Sequence, residues 1–168
     1  MELETKVLSR ELQRILYDSH KTVGTAESCT GGRIAEAIIA TPGASGYFKG
    51  SIISYSNEIK EKLLFVSSKV LAEQTAVCEE VAKEMVLGAI RSLDVDFAVA
   101  ATGVAGPGGG TADIPVGTIW IAVGDESDVK TFKLSEDFGR DINLAIATNK
   151  AVSLLLDFIR EKLGVSDE

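Results

Sequence analysis

Apolar residues recur along the chain at two spacings, one typical of helices and the other typical of buried strands. Helical spacing over residues 4–19 predicts an amphipathic helix, and residues 79–93 repeat the pattern. A long apolar helix is expected from position 140 or 141 to position 163. Two shorter helices are predicted over residues 32–40 and 57–64.

Short apolar runs bounded by turn residues predict five strands. The run at residues 95–101 is apolar throughout, which is typical of a strand buried on both faces. The last two runs flank an acidic turn at residues 124–127 and predict an antiparallel hairpin. The predicted strands cover residues 21–26, 48–55, 95–101, 116–123 and 129–134.

The alternation of strands and helices predicts the α/β class. A terminal hairpin added to alternating elements indicates a three-layer α/β/α sandwich, whose mostly parallel mixed sheet has about five strands, one of them antiparallel. The chain has 168 residues, enough for one sizeable core, and it contains no internal repeat and no low-complexity linker. A single domain over residues 1–168 is therefore expected.

Composition narrows the classes of partner and cofactor. The net charge of −8 comes without a basic stripe, so binding of nucleic acid is not expected. Cys29 and Cys78 match no metal or disulfide spacing, and His20 is the single histidine, so neither a metal site nor a cofactor is expected. No apolar run is expected to cross a bilayer, and the acidic start is unlike a signal peptide. The prediction is a cytoplasmic protein without membrane contact.

The first candidate site is the loop between the first predicted strand and the helix after it. A serine hydroxyl at the carboxyl end of such a strand can attack an electrophile, while nearby backbone N–H groups bind the oxyanion. Two alternatives remain open: a hydroxyl here caps the helix, or the neighbouring cysteine is the nucleophile, since a helix N-terminus lowers a thiol pKa. The loop reads Glu27-Ser28-Cys29-Thr30-Gly31-Gly32.

The second candidate is a glycine-rich loop that follows the buried strand at residues 95–101. Five glycines in eight residues allow the backbone to approach a ligand closely, and a flexible linker is the alternative. The spacing is neither a Walker loop nor a dinucleotide fingerprint, because no lysine follows and no helix begins there. The segment reads Thr102-Gly103-Val104-Ala105-Gly106-Pro107-Gly108-Gly109-Gly110-Thr111.

Two cations could complete a site. Lys60 lies early in the helix after Tyr55, and a desolvated lysine can act as general base to a serine. Spacing alone favours an ordinary exposed lysine, as most lysines are solvated. Arg140, at the start of the last helix, is either a clamp for a phosphate or a surface cation.

Five motifs in this order resemble the CinA C-terminal domain family, the nicotinamide-nucleotide (NMN) amidohydrolases. The resemblance covers roughly residues 3–159 and implies the form without the N-terminal domain that other family members carry. The motifs are Glu27-Ser28-Cys29-Thr30-Gly31-Gly32, Pro42-Gly43-Ala44-Ser45, Tyr55-Ser56-Asn57-Glu58-Ile59-Lys60, Thr102-Gly103-Val104-Ala105-Gly106-Pro107 and Pro115-Val116-Gly117-Thr118.

The resemblance implies hydrolysis of the NMN carboxamide to nicotinate mononucleotide and ammonia, without a metal, in the recycling of pyridine nucleotides. Ser28 would be the nucleophile and Lys60 its base, with Tyr55 close by and the oxyanion held near Thr30 and Gly31. The alternative is a non-catalytic nucleotide-binding module of the same family. A homodimer is expected. The substrate-binding set would be Glu27, Cys29, Thr30, Gly31, Gly32, Asn57, Thr102, Gly103, Ala105, Gly106 and Arg140.

Two segments differ from the usual family pattern. Thr75-Ala76-Val77-Cys78 stands where Gly-Ala-Val-Ser is usual, and Phe138-Gly139-Arg140 stands where Gly-Asp-Arg is usual. The first difference is expected to alter the shape of the pocket or the choice of substrate while leaving the serine–lysine pair intact.

Overall fold

Five strands form one sheet in the computed structural model, which describes residues 3–166. Their spatial order is β2-β1-β3-β4-β5. β1 pairs in parallel with β2 and β3, whereas β4 pairs antiparallel with β3 and β5. Four strands therefore run in one direction and β4 opposes them, as predicted. The strands are β1 (Val23–Glu27), β2 (Phe48–Ile53), β3 (Phe97–Gly103), β4 (Ile119–Gly124) and β5 (Val129–Leu134).

Six α-helices cover the two faces of the sheet. α1, α2 and α6 pack against one another on one face, and α3, α4 and α5 pack on the other, so the three-layer prediction is confirmed. The helices are α1 (Leu3–Ser19), α2 (Arg33–Ile38), α3 (Asn57–Leu64), α4 (Ser68–Gln74), α5 (Glu79–Leu93) and α6 (Arg140–Leu163).

The central strand β3 contributes to the apolar core on both faces. Val99 and Ala101 face the α1–α2–α6 core, while Ala98 and Ala100 face the core under α5. This alternation explains why the run is apolar throughout, since both of its faces are buried. On the second face α3 and α5 lie very close at Gly88, where only glycine fits: an added Cβ would be 2.0 Å from the Leu64 carbonyl oxygen.

The bounds of several elements differ from the sequence predictions: β1 covers Val23–Glu27, β3 covers Phe97–Gly103 and α2 covers Arg33–Ile38. β2 ends at Ile53 because the carbonyls of Ser54 and Tyr55 turn toward a lysine side chain instead of pairing. β4 begins at Ile119, after a tight turn in which Gly117 has a φ of 94°. Helix α4 was not predicted; the Ser67 hydroxyl caps it by accepting from the Val70 N–H.

Helix α6 also corrects an expectation about apolar runs. Its 24 residues are long and apolar enough to cross a membrane by length and composition. More than half of its most apolar window, 56%, is buried within the fold, as expected of a core helix. No membrane span is therefore evident among residues 3–166.

Candidate functional site

The candidate site lies where the direction of the chain crossovers reverses. From β1 the chain passes through α2 on one face to reach β2, and from β2 it returns across the other face to β3. The carboxyl ends of β1 and β3 consequently border a crevice, which is the usual ligand site of open α/β sheets. Ser28 follows β1 directly and Gly103 ends β3, so the two predicted loops meet there.

Ser28 is held at the end of β1 by the continuation of the sheet. Its N–H donates to the Ala101 carbonyl of β3 at 2.9 Å. The residue is buried, at 8% exposure, and its hydroxyl faces the side chain of Lys60. This position at a strand end, at the wall of the crevice, suits a nucleophile.

Lys60 is buried beside Ser28, which corrects the interpretation of an ordinary exposed lysine. Only 1% of the residue is exposed, and its Nζ lies 2.9 Å from the Ser28 Oγ. The same Nζ donates to the carbonyl oxygens of Ser54 at 2.7 Å and Tyr55 at 3.5 Å. Both carbonyls come from the segment that leaves β2, so the end of this strand builds the pocket for the amine.

The protonation of Lys60 is shifted by its surroundings. Removal from water lowers the pKa of the amine from its usual 10.5, because burial penalises the ammonium form. No carboxylate among residues 3–166 forms an ion pair with it to offset that penalty. A buried amine with a lowered pKa, in contact with a serine hydroxyl, has the chemistry of a general base.

Cys29 lines the same crevice but is a poor nucleophile. Burial raises the pKa of its thiol to about 11, which outweighs the lowering effects of its own backbone N–H and of the cations Lys60 and Arg140. The thiol is therefore protonated near neutral pH, whereas the thiolate is the reactive form. Ser28, in contact with the amine, is the better placed group.

Four predicted residues lie behind the crevice instead of lining it. The carboxylate of Glu27 is fully buried and accepts from the Thr30 hydroxyl at 2.7 Å and the Gly32 N–H at 3.1 Å. The Gly31 N–H donates to the Ser28 carbonyl at 3.1 Å. The caps of α2 therefore come from Glu27, and the N–H of Gly31 is already engaged and not available to an oxyanion.

The crevice itself is a cavity of about 250 Å³. Four other clefts, of about 270, 320, 500 and 510 Å³, are larger, but none of them contains a serine beside a buried cation. Most of the predicted site residues meet in this cavity, together with four that were not predicted to line it. Its walls are formed by Ser28, Cys29, Tyr55, Asn57, Lys60, Ala76, Val77, Thr102, Gly103, Val104, Ala105, Gly106, Gly108 and Arg140.

Tyr55 and Asn57 stand at the rim of the cavity. Tyr55 is 65% exposed, and only its backbone carbonyl reaches Lys60. Its hydroxyl has no hydrogen bond among residues 3–166, so the catalytic assignment of the Tyr55 side chain stays a prediction. Asn57 is exposed at the start of α3, where its side chain is accessible to a ligand.

The glycine-rich loop is fastened to α6 by two polar residues. Arg140 donates from Nη1 to the Gly106 carbonyl at 2.8 Å. Asn143, which is buried, donates to the carbonyl of Ala105 at 3.1 Å and to Asp137 at 2.9 Å, and accepts from the Phe138 N–H at 2.9 Å. The prediction missed Asn143, and the available signal was an asparagine between Ile142 and Leu144 in the first turns of α6.

The segment Thr75–Cys78 forms one wall of the cavity through Ala76 and Val77. The hydroxyl of Thr102 donates to the Ala76 carbonyl at 2.8 Å and ties this wall to the end of β3. Thr75 has φ 66° and ψ 178°, a conformation that a β-branched residue adopts only under constraint. Its hydroxyl accepts from the Val77 N–H at 3.2 Å, which helps to hold this turn.

Comparisons with known proteins agree with the motif resemblance. A sequence model of the CinA C-terminal domain matches residues 5–159. The chain is 44% identical to a CinA-like protein of Endomicrobium trichonymphae over 89% of this chain and 34% of that protein. It is 39% identical to a CinA-like protein of Cytophaga hutchinsonii over 94% of this chain and 38% of that protein. The chain thus spans about a third of the length of these curated relatives.

Solved structures with the same fold include relatives of nearly the same extent. The competence/damage inducible protein CihA from Agrobacterium tumefaciens superimposes with a TM-score of 0.90 at 33% identity, covering 94% of this chain and 98% of that one. The CinA superfamily protein KP700603 from Klebsiella pneumoniae has a TM-score of 0.88 at 30% identity, with coverage of 94% and 98%.

Proposed function

We propose, since this chain belongs to the CinA C-terminal domain family, that it hydrolyses the carboxamide of nicotinamide mononucleotide to nicotinate mononucleotide and ammonia. The reaction would serve the recycling of pyridine nucleotides. The observation that carries the proposal is the 2.9 Å contact between Lys60 Nζ and Ser28 Oγ in a buried setting. This pair has the composition and geometry of an activated serine nucleophile.

The contacts of Lys60 fit both halves of the reaction. As a neutral amine, Lys60 keeps two N–H bonds to the carbonyls of Ser54 and Tyr55 and accepts the Ser28 proton through its lone pair. Ser28 Oγ then bonds to the carboxamide carbon, and the lysine returns the proton to the departing nitrogen, which leaves as ammonia. Water attacks the resulting ester, again giving its proton to Lys60, and the carboxylic acid is released as Ser28 is regenerated.

The tetrahedral oxyanion requires a donor near Ser28. The N–H groups of Gly31 and Gly32 are already engaged. The N–H of Cys29 donates to no other residue among residues 3–166, and Cys29 lines the cavity directly after the nucleophile. We assign the oxyanion to this N–H, because the residue following a serine nucleophile commonly supplies such a donor.

The charge of the cavity favours an anionic ligand. No carboxylate lines it, although the chain has a net charge of −8, and both charged side chains that do so, Lys60 and Arg140, are basic. Because Lys60 contacts Ser28, Arg140, which lies against the glycine-rich loop, is the cation that would bind a phosphate. NMN carries its carboxamide and its phosphate at opposite ends, which matches this separation of roles.

A non-catalytic nucleotide-binding module is the second candidate function. It is favoured by the wall at Thr75–Cys78, where the sequence differs from the usual family pattern and the backbone of Thr75 is constrained. Such a module would bind NMN in the same cavity and release no ammonia. Calorimetry alongside the activity assay separates the two functions.

The test is ammonia release from NMN by the purified, EDTA-treated protein. We expect turnover by the natural sequence and loss of turnover in both Ser28→Ala and Lys60→Ala. Lys62→Ala is the matched control, because Lys62 lies on the same helix and is exposed. Turnover that survives Ser28→Ala would remove the serine mechanism, and NMN binding without turnover in the natural sequence would favour the binding module.

Homodimer formation stays part of the proposal. Several large apolar side chains are exposed, and three of them, Phe132, Phe138 and Ile146, line one cleft. Exposed apolar surfaces of this kind are often covered in symmetric dimers. Sedimentation velocity on the full chain measures the mass directly. A monomer at assay concentration would contradict this expectation.

A further inference from the structure

Glu27 is the residue immediately before the proposed nucleophile, and its carboxylate has no access to solvent. Six potential donors lie within hydrogen-bonding distance of its two oxygens, three backbone N–H groups and three hydroxyls. The Thr25 and Ser51 hydroxyls also bond to each other at 2.6 Å, so only one of these two donates to the carboxylate at a time. A buried charge is tolerated only when its hydrogen bonds are satisfied, and these donors offset the cost of burying the Glu27 carboxylate. The donors are the N–H groups of Gly32 (3.1 Å), Ile34 (2.9 Å) and Ala35 (3.0 Å) and the hydroxyls of Thr25 (3.0 Å), Thr30 (2.7 Å) and Ser51 (3.3 Å).

These contacts connect the two ends of the loop that contains Ser28. The side chain of Glu27 reaches forward along the chain to the first turn of α2, so the loop that contains Ser28 is fastened at both of its ends. The Thr30 hydroxyl adds a tie from within the loop. Helix α2 has no side-chain cap from its own N-cap residue, Gly32, and Glu27 supplies the missing acceptor. Ser28 is thereby held between a strand and a capped helix.

Glu27 is also connected to the position of Lys60. Its backbone carbonyl accepts from the Ser54 N–H at 2.8 Å, and the Ser54 carbonyl in turn accepts from Lys60 Nζ at 2.7 Å. The Ser51 hydroxyl adds a tie from β2 to the carboxylate. A displacement of residue 27 would therefore move both the serine and the carbonyl that orients the amine.

We propose that Glu27 is a positioning residue that sets the Ser28–Lys60 contact by capping α2 and joining β1 to β2. It touches neither the cavity nor the reacting atoms and acts through the two residues it holds. The inference rests on the proposed function in that it assumes the Ser28–Lys60 pair is reactive. Misplacement of reacting groups by about 1 Å lowers rates about a hundredfold, and we expect a loss of that order without the Glu27 carboxylate.

The test compares Glu27→Gln with the natural sequence by the rate at which a fluorophosphonate probe labels Ser28, followed by intact mass across a pH series. This readout does not require NMN to be the substrate. In the natural sequence labelling should rise as Lys60 loses its proton, and in Glu27→Gln it should be about a hundredfold slower and lose that pH step. With NMN, the loss should fall on kcat while KM changes little.

Glu84→Gln is the matched control for lost stability alone. Glu84 also accepts a backbone N–H, from Ser67 at 2.9 Å at the start of α4, away from the cavity. Its removal should lower the melting temperature and leave the labelling rate unchanged. All rates are compared at temperatures where circular dichroism shows each variant to be folded.

A second pair of variants keeps the inference testable if Glu27→Gln does not fold. Thr30→Ala removes one donor to Glu27 and should slow labelling of Ser28, whereas Thr30→Ser retains the hydroxyl and should restore the rate. Folded Glu27→Gln that labels at the natural rate would overturn the inference, as would equal rates in the two Thr30 variants. Fast labelling that depends on Glu27, without NMN turnover, would contradict the proposed substrate. The positioning role of Glu27 would in that case still be supported.

Discussion

The two sides of the cavity are built in different ways. On the nucleophile side, Ser28, Lys60 and the Glu27 carboxylate are all buried. The Ser28 Oγ, the Lys60 Nζ and the Glu27 carboxylate oxygens all have close hydrogen-bond partners. On the ligand side, the glycine-rich loop is largely exposed and is fastened to α6 by Asn143 and Arg140. The nucleophile side is densely hydrogen-bonded, whereas the ligand side depends on a few hydrogen bonds to α6.

This difference matches the different demands of chemistry and recognition. The proposed proton transfer between Ser28 and Lys60 requires a fixed distance, and burial with saturated hydrogen bonds is how proteins hold two groups at one. A loop that meets a ligand needs close approach of its backbone, which glycine permits, and it tolerates more movement. Changes on the nucleophile side should therefore affect the rate, and changes on the ligand side should affect binding.

Lys60→Arg is expected to produce the largest effect. Arginine keeps a positive charge in the pocket but does not give up its proton at accessible pH, so it cannot serve Ser28 as a base. We expect kcat for ammonia release to fall about a thousandfold, as in Lys60→Ala. If turnover by Lys60→Arg stays within tenfold of that of the natural sequence, residue 60 contributes its positive charge and not proton transfer.

Asn143→Ala tests the ligand side. The substitution removes the donors to Ala105 and Asp137 and leaves the Phe138 N–H without its acceptor. We expect KM for NMN to rise about tenfold, with kcat little changed, and stability to fall by about 1–3 kcal/mol. Thr148→Ala is the control, since Thr148 is buried on the same helix and its hydroxyl, within residues 3–166, bonds only to the Leu144 carbonyl. A fall in kcat alone would break the division between the two sides.

Burial of Lys60 also predicts a pH dependence of stability. The folded state lowers the pKa of this amine below the 10.5 of the exposed side chain, so the unfolded chain binds the proton more tightly. The penalty is fully present below the folded-state pKa and fades as the pH rises toward 10.5. Lys60→Met should therefore raise the melting temperature at pH 7, with an advantage that shrinks by pH 10. An advantage that grows with pH would contradict the assigned direction of the shift.

Thr75→Gly is expected to have the smallest effect. Glycine adopts the φ of 66° without strain, and relief of about 1–3 kcal/mol is partly offset by its extra unfolded-state freedom and by loss of the bond to the Val77 N–H. We expect stabilisation by about 1 kcal/mol in urea unfolding. Thr75→Ala keeps the strain and loses the hydroxyl, so it should be destabilised; equal stability of both variants would argue against strain in this wall.

Local sequence patterns predicted much of the fold and part of the candidate site. Periodicity located the helices at residues 57–64 and 79–93 as the structure has them, and the motif order brought Ser28 and Lys60 together. Burial of Lys60 could not be predicted, because it depends on the pairing of β1 with the segment after β2. The cap that Glu27 provides to residues five to eight positions ahead could not be predicted from the sequence either. The predicted oxyanion donors near Thr30 and Gly31 therefore included an N–H, that of Gly31, which the fold already engages.

Ser28 and Lys60 lie 32 positions apart, on one continuous stretch that runs from β1 into α3. The glycine-rich loop, Asn143 and Arg140 all come from the later part of the chain. The proposed reacting pair can therefore be inherited as a block, while mutation or recombination in the later part of the gene would alter the proposed ligand side. Divergence of ligand preference within such a lineage is expected at the Thr75–Cys78 wall and after β3, while Ser28 and Lys60 are expected to stay unchanged.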